Sequence, residues 1–181
     1  PEQYIKTRFE AVCGEHDTWI VSYDSAALGT PVHMIWYTDN KGGDKLLTFS
    51  DQRIFAAAIL TVAISDLQPE TCNTYRVDRI TRQIRSKKLS LEALDGLTNF
   101  IDLFGDYANS LEDTAHLQAF QHNGIIETLI AYYYQHIFWP RLNDHKKFQQ
   151  YKRPALDIDH RQLLEVFTGM KEKMEAAIHV L

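Results

Sequence analysis

The residues best equipped for chemistry stand between Arg141 and His145. A histidine works as a general base near neutral pH. The guanidinium of Arg141 can hold a phosphate and stabilise developing negative charge. Asn143, between them, can hydrogen-bond a ribose or orient the imidazole. Cleavage of RNA through its 2′-hydroxyl asks for little more. The alternative is a polar surface loop with no catalytic role. A second set is aromatic: Tyr132-Tyr-Tyr-Gln-His-Ile-Phe-Trp139. Neighbours on a helix are about 100° apart, so three adjacent tyrosines cannot all enter a core. Tyr132, Tyr133, His136 and Trp139 are therefore expected to divide between the core and an interface or ligand pocket. A third set is cationic. Arg76, Arg79, Arg82 and Arg85 step by three and fan over one helix face, and Lys146 and Lys147 follow the Arg141 segment. Such charges suit an anion or the phosphates of a nucleic acid, and equally a solvated helix surface.

Other chemistries find less support. His116, His122, His136 and Glu127 are badly spaced for one helical face, and recruiting Asp102 or Asp106 supplies no Glu-x-x-His pair of the kind di-metal bundles use. No metal site and no cofactor are expected. Walker A, GxGxxG, HExxH, GxSxG and EF-hand patterns do not occur.

An Arg–His pair ahead of the last helix of an α-helical bundle resembles the HEPN superfamily. The resemblance spans residues 51–181 and rests on helix order and on Arg141 and His145, which stand closer together here than in the family. It implies a ribonuclease of toxin–antitoxin or phage-defence type, usually acting as a dimer, or a degenerate relative of one.

The elements that must position these groups are mostly helical. From Asp159 the pattern is clearest: an N-cap, Gln162 three residues on, the staple Ile158–Leu163, and apolar residues at 163, 167, 170, 174, 177 and 181. Ser90 caps another helix, expected to end at Gly105. Helices are also expected from Tyr4 to about Glu15, from Ser50 or Asp51 to Leu67, from Glu70 to Arg85, from Ser110 to His122, and from Ile125 to Pro140. Arg141 to Pro154 reads as a loop or a short surface helix. Trp19–Tyr23 and Val32–Tyr37 carry strand-like residues, and the turn Asp39-Asn-Lys-Gly-Gly-Asp44 favours a hairpin returning through Lys45–Phe49. A helix starting at Thr30-Pro31 is the competing reading. The fold class is thus mostly α: a bundle of five or more helices, with a small N-terminal β-hairpin. One domain is expected over 1–181, mixed in 1–49 and bundled in 50–181.

Composition sets the outer bounds. The chain has 181 residues, 45% hydrophobic and 24% charged, with a net charge of −5. The charge is uneven. Segments 76–88 and 141–153 hold 11 of the 19 Lys and Arg, and the rest of the chain has 8 bases against 22 acids. Two basic segments on an acidic body can steer an anionic partner. Two isolated cysteines, Cys13 and Cys72, fit a reducing compartment. No apolar run is long enough to span a bilayer and no leader is recognised, so a cytoplasmic location is expected. These features together favour a non-enzymatic interaction or regulatory protein, dimeric through its aromatic helix. A HEPN-like ribonuclease is the alternative, and small-molecule or metal binding within the bundle a further one. A protein partner or self-association comes first, RNA second; no membrane partner and no DNA-binding motif are expected.

Overall fold

The computed structural model describes residues 18–29, 31–38, 44–46, 48–49, 54–56, 70–110 and 122–179. The expected helix over 4–15, with Cys13, and residues 111–121 of the one expected from Ser110 to His122, with His116, lie outside them, as do most of 51–67.

Three strands open the described chain: β1 (Thr18–Asp24), β2 (Val32–Thr38) and β3 (Asp44–Leu46). Short strands β4 (Thr48–Phe49) and β5 (Ile54–Ala56) follow, then β6 (Glu70–Arg76). The helices are α1 (Val77–Arg85), α2 (Leu91–Ser110), α3 (Gly124–Tyr133), α4 (Trp139–Asn143), α5 (His145–Gln150) and α6 (His160–Ala177), with a π-helical turn over Tyr134–Phe138 and a last strand β7 (Ile178–His179). The chain is mostly helical.

The hairpin is present and is the nucleus of something larger. Its strands are β2 and β3, with Trp36 opposite Leu46, although Thr48 and Phe49, expected in the returning strand, belong to β4. β1 adds antiparallel to β2, with Val21 opposite Met34 and Tyr23 opposite Val32. β6 then joins β1 in parallel, completing a mixed sheet of order β3-β2-β1-β6. The register slips at Ile20/Val21, where Cys72 is the extra residue on β6. Val21, Tyr23, Val32, Met34 and Tyr75 are buried. Against them pack Val77, Ile80 and Ile84 of α1, the stripe Leu94, Leu97, Phe100, Ile101 and Phe104 of α2, and Leu163, Phe167, Met170 and Met174 of α6. The α6 stripe thus finds its partner within the chain. A smaller sheet, β4-β5-β7, ties Phe55 to Ile178 beyond the end of α6.

Four local expectations are corrected. Residues 70–76 are strand, not the first half of a helix. Thr71, Thr74 and Tyr75 suit a pleated surface, and helical apolar spacing begins only at Val77. Ile54–Ala56 is strand as well; a short apolar run does not by its period distinguish a buried strand from a buried helix. α2 runs through Gly105 to Ser110. A helical glycine costs about 1 kcal/mol relative to alanine, and burial of Tyr107 and Ala108 in the next turn more than offsets it. Finally, Pro140 does not end its helix. The preceding turn widens to π geometry, with the Trp139 N–H bonded to the Tyr134 carbonyl. That insertion relieves the clash a proline ring makes with the turn before it, and helix continues to Asn143.

The caps expected at Ser90 and Asp159 are present, whereas Ser110, expected to start a helix, is the last residue of α2. The Asp159 carboxylate accepts from the N–H groups of Arg161 (2.9 Å) and Gln162 (3.1 Å), and Asn123 does the same for Ile125 and Ile126 at the start of α3. Among the described residues no helix is long and apolar enough to cross a membrane.

Candidate functional site

Arg141 is placed by the π turn and α4 so that it faces back toward α2. Its guanidinium forks onto Asp95: Nη1 donates to Oδ2 at 3.1 Å and Nη2 to Oδ1 at 2.9 Å. Nη2 also donates to the Tyr133 hydroxyl at 3.1 Å, and that hydroxyl donates to Asp95 in turn. The Phe148 ring lies 5.8 Å from the guanidinium carbon, within cation–π range. Burial alone would raise the Asp95 carboxyl, but the hydrogen bonds from Arg141 and Tyr133, with the Arg141 charge, hold it below the usual carboxylate range. Burial, then the Asp95 hydrogen bond, push the Tyr133 hydroxyl up to about 12. The Asp95 hydrogen bond raises Arg141 further. This is a clamp between α2, α3 and α4 that commits three of the Arg141 N–H groups and the Tyr133 hydroxyl to protein acceptors.

His145 points elsewhere. It is exposed on α5, and its Nε2 meets Gln149 Nε2 at 3.3 Å. Asn143 is exposed too. No described hydrogen bond joins Arg141, Asn143 and His145 to one another.

The aromatic set divides as its angular spacing requires. Tyr133 is buried and belongs to the clamp. Tyr132 and His136 lie on one flank: the Tyr132 hydroxyl donates to the Pro154 carbonyl at 2.6 Å, and His136 Nδ1 shares a hydrogen bond with the Tyr151 hydroxyl at 2.9 Å. The His136 and Tyr151 rings stack at 6.4 Å. These contacts pin residues 151–154 along the helix. Tyr134 and Trp139 pack on the half-buried Phe138 at 5.0 and 4.9 Å and remain exposed. The large apolar side chains exposed among the described residues are Tyr134 (37%), Trp139 (52%), Leu142 (65%) and Tyr151 (43%). All four fall within one short stretch of sequence.

The two basic segments meet. Arg153 Nη2 reaches the Leu89 carbonyl at 3.5 Å, a long bond that nonetheless seats residues 151–154 beside the end of the first basic segment. Arg76, Arg79, Arg82, Arg85, Lys87 and Lys88 are exposed, as are Lys146, Lys147 and Lys152. Arg79 pairs with Glu92 at 2.9 Å. The others make no ion pair among the described residues.

Two features escaped the sequence reading. Asp95 carries no motif, since its partners lie 38 and 46 positions away. The buried hydroxyl of Tyr23 donates to Glu175 Oε1 at 3.1 Å, and Glu175 holds Lys171 at 3.1 Å. Burial and the Glu175 charge push the Tyr23 phenol far above its ordinary range. The i,i+4 spacing of Lys171 and Glu175 was the only visible signal for this second network. Among the described residues no group of three or more His, Cys, Asp or Glu side chains could hold a metal ion. No protein-family model, curated protein or solved structure matches the chain.

Proposed function

We propose that this chain is a non-enzymatic binding protein that engages an anionic polymer, with single-stranded RNA the chemistry that its surface fits best. One observation carries the reading: the exposed aromatics between Tyr134 and Tyr151 share their stretch with Lys146 and Lys147, and residues 151–154 abut the end of the other basic segment. Proteins that hold single strands combine a positively charged track with aromatic faces on which bases stack. Commitment of Arg141 to Asp95 and Tyr133 speaks for a structural role for that arginine, and so for binding without cleavage. A protein partner with an acidic surface is the second reading, because exposed Trp and Tyr also anchor protein interfaces.

Fluorescence anisotropy with a labelled, mixed-sequence single-stranded RNA tests this, with poly-glutamate as the acidic-polypeptide arm. RNA binding is expected, weakening steeply with salt as counterion release requires. Trp139→Ala is expected to cost about 1–3 kcal/mol, the usual worth of one stacked base. The RNA should be recovered intact. Preference for poly-glutamate would support the protein reading. RNA cleavage abolished by His145→Ala would establish the HEPN-like ribonuclease instead.

A further inference from the structure

β6 and the first two helices enclose a cleft of about 200 Å³, apart from the aromatic surface. Its polar lining includes Asn73, Arg76, Arg79, Glu92, Asp95 and Asn99. The charges are sorted by wall. Arg76 ends β6 and Arg79 stands one turn later on α1. Glu92, Asp95 and Asn99 follow at helical spacing along α2 and share one face of it. Asp95 is fixed from behind by Arg141 and Tyr133, so its position does not depend on a ligand. Arg76 makes no ion pair among the described residues. Arg79 and Glu92 join the two walls at 2.9 Å, with both side chains well exposed. A solvated pair of that kind is weakly held, so both of its charges can be redirected at little cost.

From this arrangement we infer that the cleft is a binding site for a small zwitterion, a free α-amino acid. The negative end meets Arg76. The positive end meets Glu92. The amides of Asn73 and Asn99 supply donors and acceptors for the remainder. Charge disfavours simpler ligands. The Asp95 charge is already matched by Arg141, so a bare anion meets Glu92 alone on the α2 wall, while a bare cation faces two arginines. Size agrees: the volume lies below the roughly 300–1,000 Å³ typical of pockets for drug-sized molecules. The inference does not require the RNA reading, since Lys146, Lys147 and Trp139 do not line the cleft, although Arg76 and Arg79 belong to the basic segment that reading uses.

The test is thermal-shift screening of the intact chain against each proteinogenic L-amino acid at millimolar concentration, followed by calorimetry. Parallel arms use propionate, propylamine and inorganic phosphate. At least one amino acid is expected to raise Tm and titrate with 1:1 stoichiometry. Propionate and propylamine, each lacking one charge, should bind at least about tenfold more weakly, as loss of one charged hydrogen bond implies. Arg76→Ala and Glu92→Gln alter exposed side chains that the core does not use, and each should weaken binding by at least about tenfold. Lys146→Ala should leave it unchanged. The inference is overturned if no amino acid binds, if phosphate binds as well as the amino acid, or if both cleft variants bind like the wild type.

Discussion

Replacing Asp95 by asparagine should destabilise the chain in a way that depends on both Arg141 and pH. The side chain keeps its size, so no cavity opens. It loses its charge, and its amide group presents donors toward a guanidinium that has none but donors. Arg141 gives Asp95 two charge-assisted bonds and Tyr133 gives a third. A bond to a charged group contributes about 1.5–3 kcal/mol when buried. Both partners retain about a third of their side-chain exposure, so solvent screening brings the total to the low end, about 2 kcal/mol for Asp95→Asn. Arg141→Leu should cost a similar amount. The double variant should cost about the same again rather than the sum, leaving a coupling of 1.5–2 kcal/mol, within the range of about 0.5–3 seen for residues in one network. The pH sign follows from Asp95 being held below its ordinary range in the folded state. Its stabilisation is fully present above the unfolded carboxyl's value of about 3.9 and is lost as pH falls through the folded one. Urea denaturation of the four proteins between pH 7 and pH 3 measures this. The gap between wild type and Asp95→Asn should be constant above about pH 5 and close below about pH 4. Additive single-variant losses, or a gap unchanged at pH 3, would refute the clamp.

Two more stability predictions follow from the interior. Glu175→Ala strands the Lys171 ammonium, whose side chain is only 15% exposed, and should cost about 3–5 kcal/mol; adding Lys171→Met should recover much of that, and failure to do so in urea melts would argue against a buried pair. Thr98→Val removes a buried hydroxyl with no hydrogen-bond partner among the described residues and should stabilise by about 1 kcal/mol; a lower denaturation midpoint would show that the hydroxyl is satisfied.

How far the sequence disclosed all this depended on the distance over which each feature is decided. α6 was legible up to its end because its determinants are local: Asp159 caps it, and Leu163, Phe167, Met170 and Met174 repeat at helical spacing. Its expected continuation to Leu181 fails because Ile178 pairs with Phe55 as strand β7. The β2–β3 hairpin was legible because its determinants are local too. β6 was not. Its residues acquire extended structure by pairing with β1 some fifty positions earlier, while the three-residue step of arginines starting at Arg76 imitates a helix face. Pro140 misled in the opposite sense, because a proline signals a stop only where the preceding turn cannot widen.

Which candidate side chains would come together was only partly legible, and Arg141 shows why. Residue types announce capacity, and a tertiary partner decides whether the capacity is spent. Arg141 had the right type for phosphate chemistry, yet Asp95 and Tyr133 absorb its guanidinium. Nothing near Arg141 in sequence betrays that, since both partners come from other helices. Lys146 and Lys147 escaped the same fate through local geometry. Asp144, the nearest acid, spends a carboxylate oxygen on the Lys147 backbone N–H as the cap of α5, and α5 is too short to place another acid at i,i+4. Their ammonium groups make no ion pair among the described residues. Free charge beside exposed aromatics is therefore a stronger pointer to binding in this chain than the Arg–His pair is to catalysis.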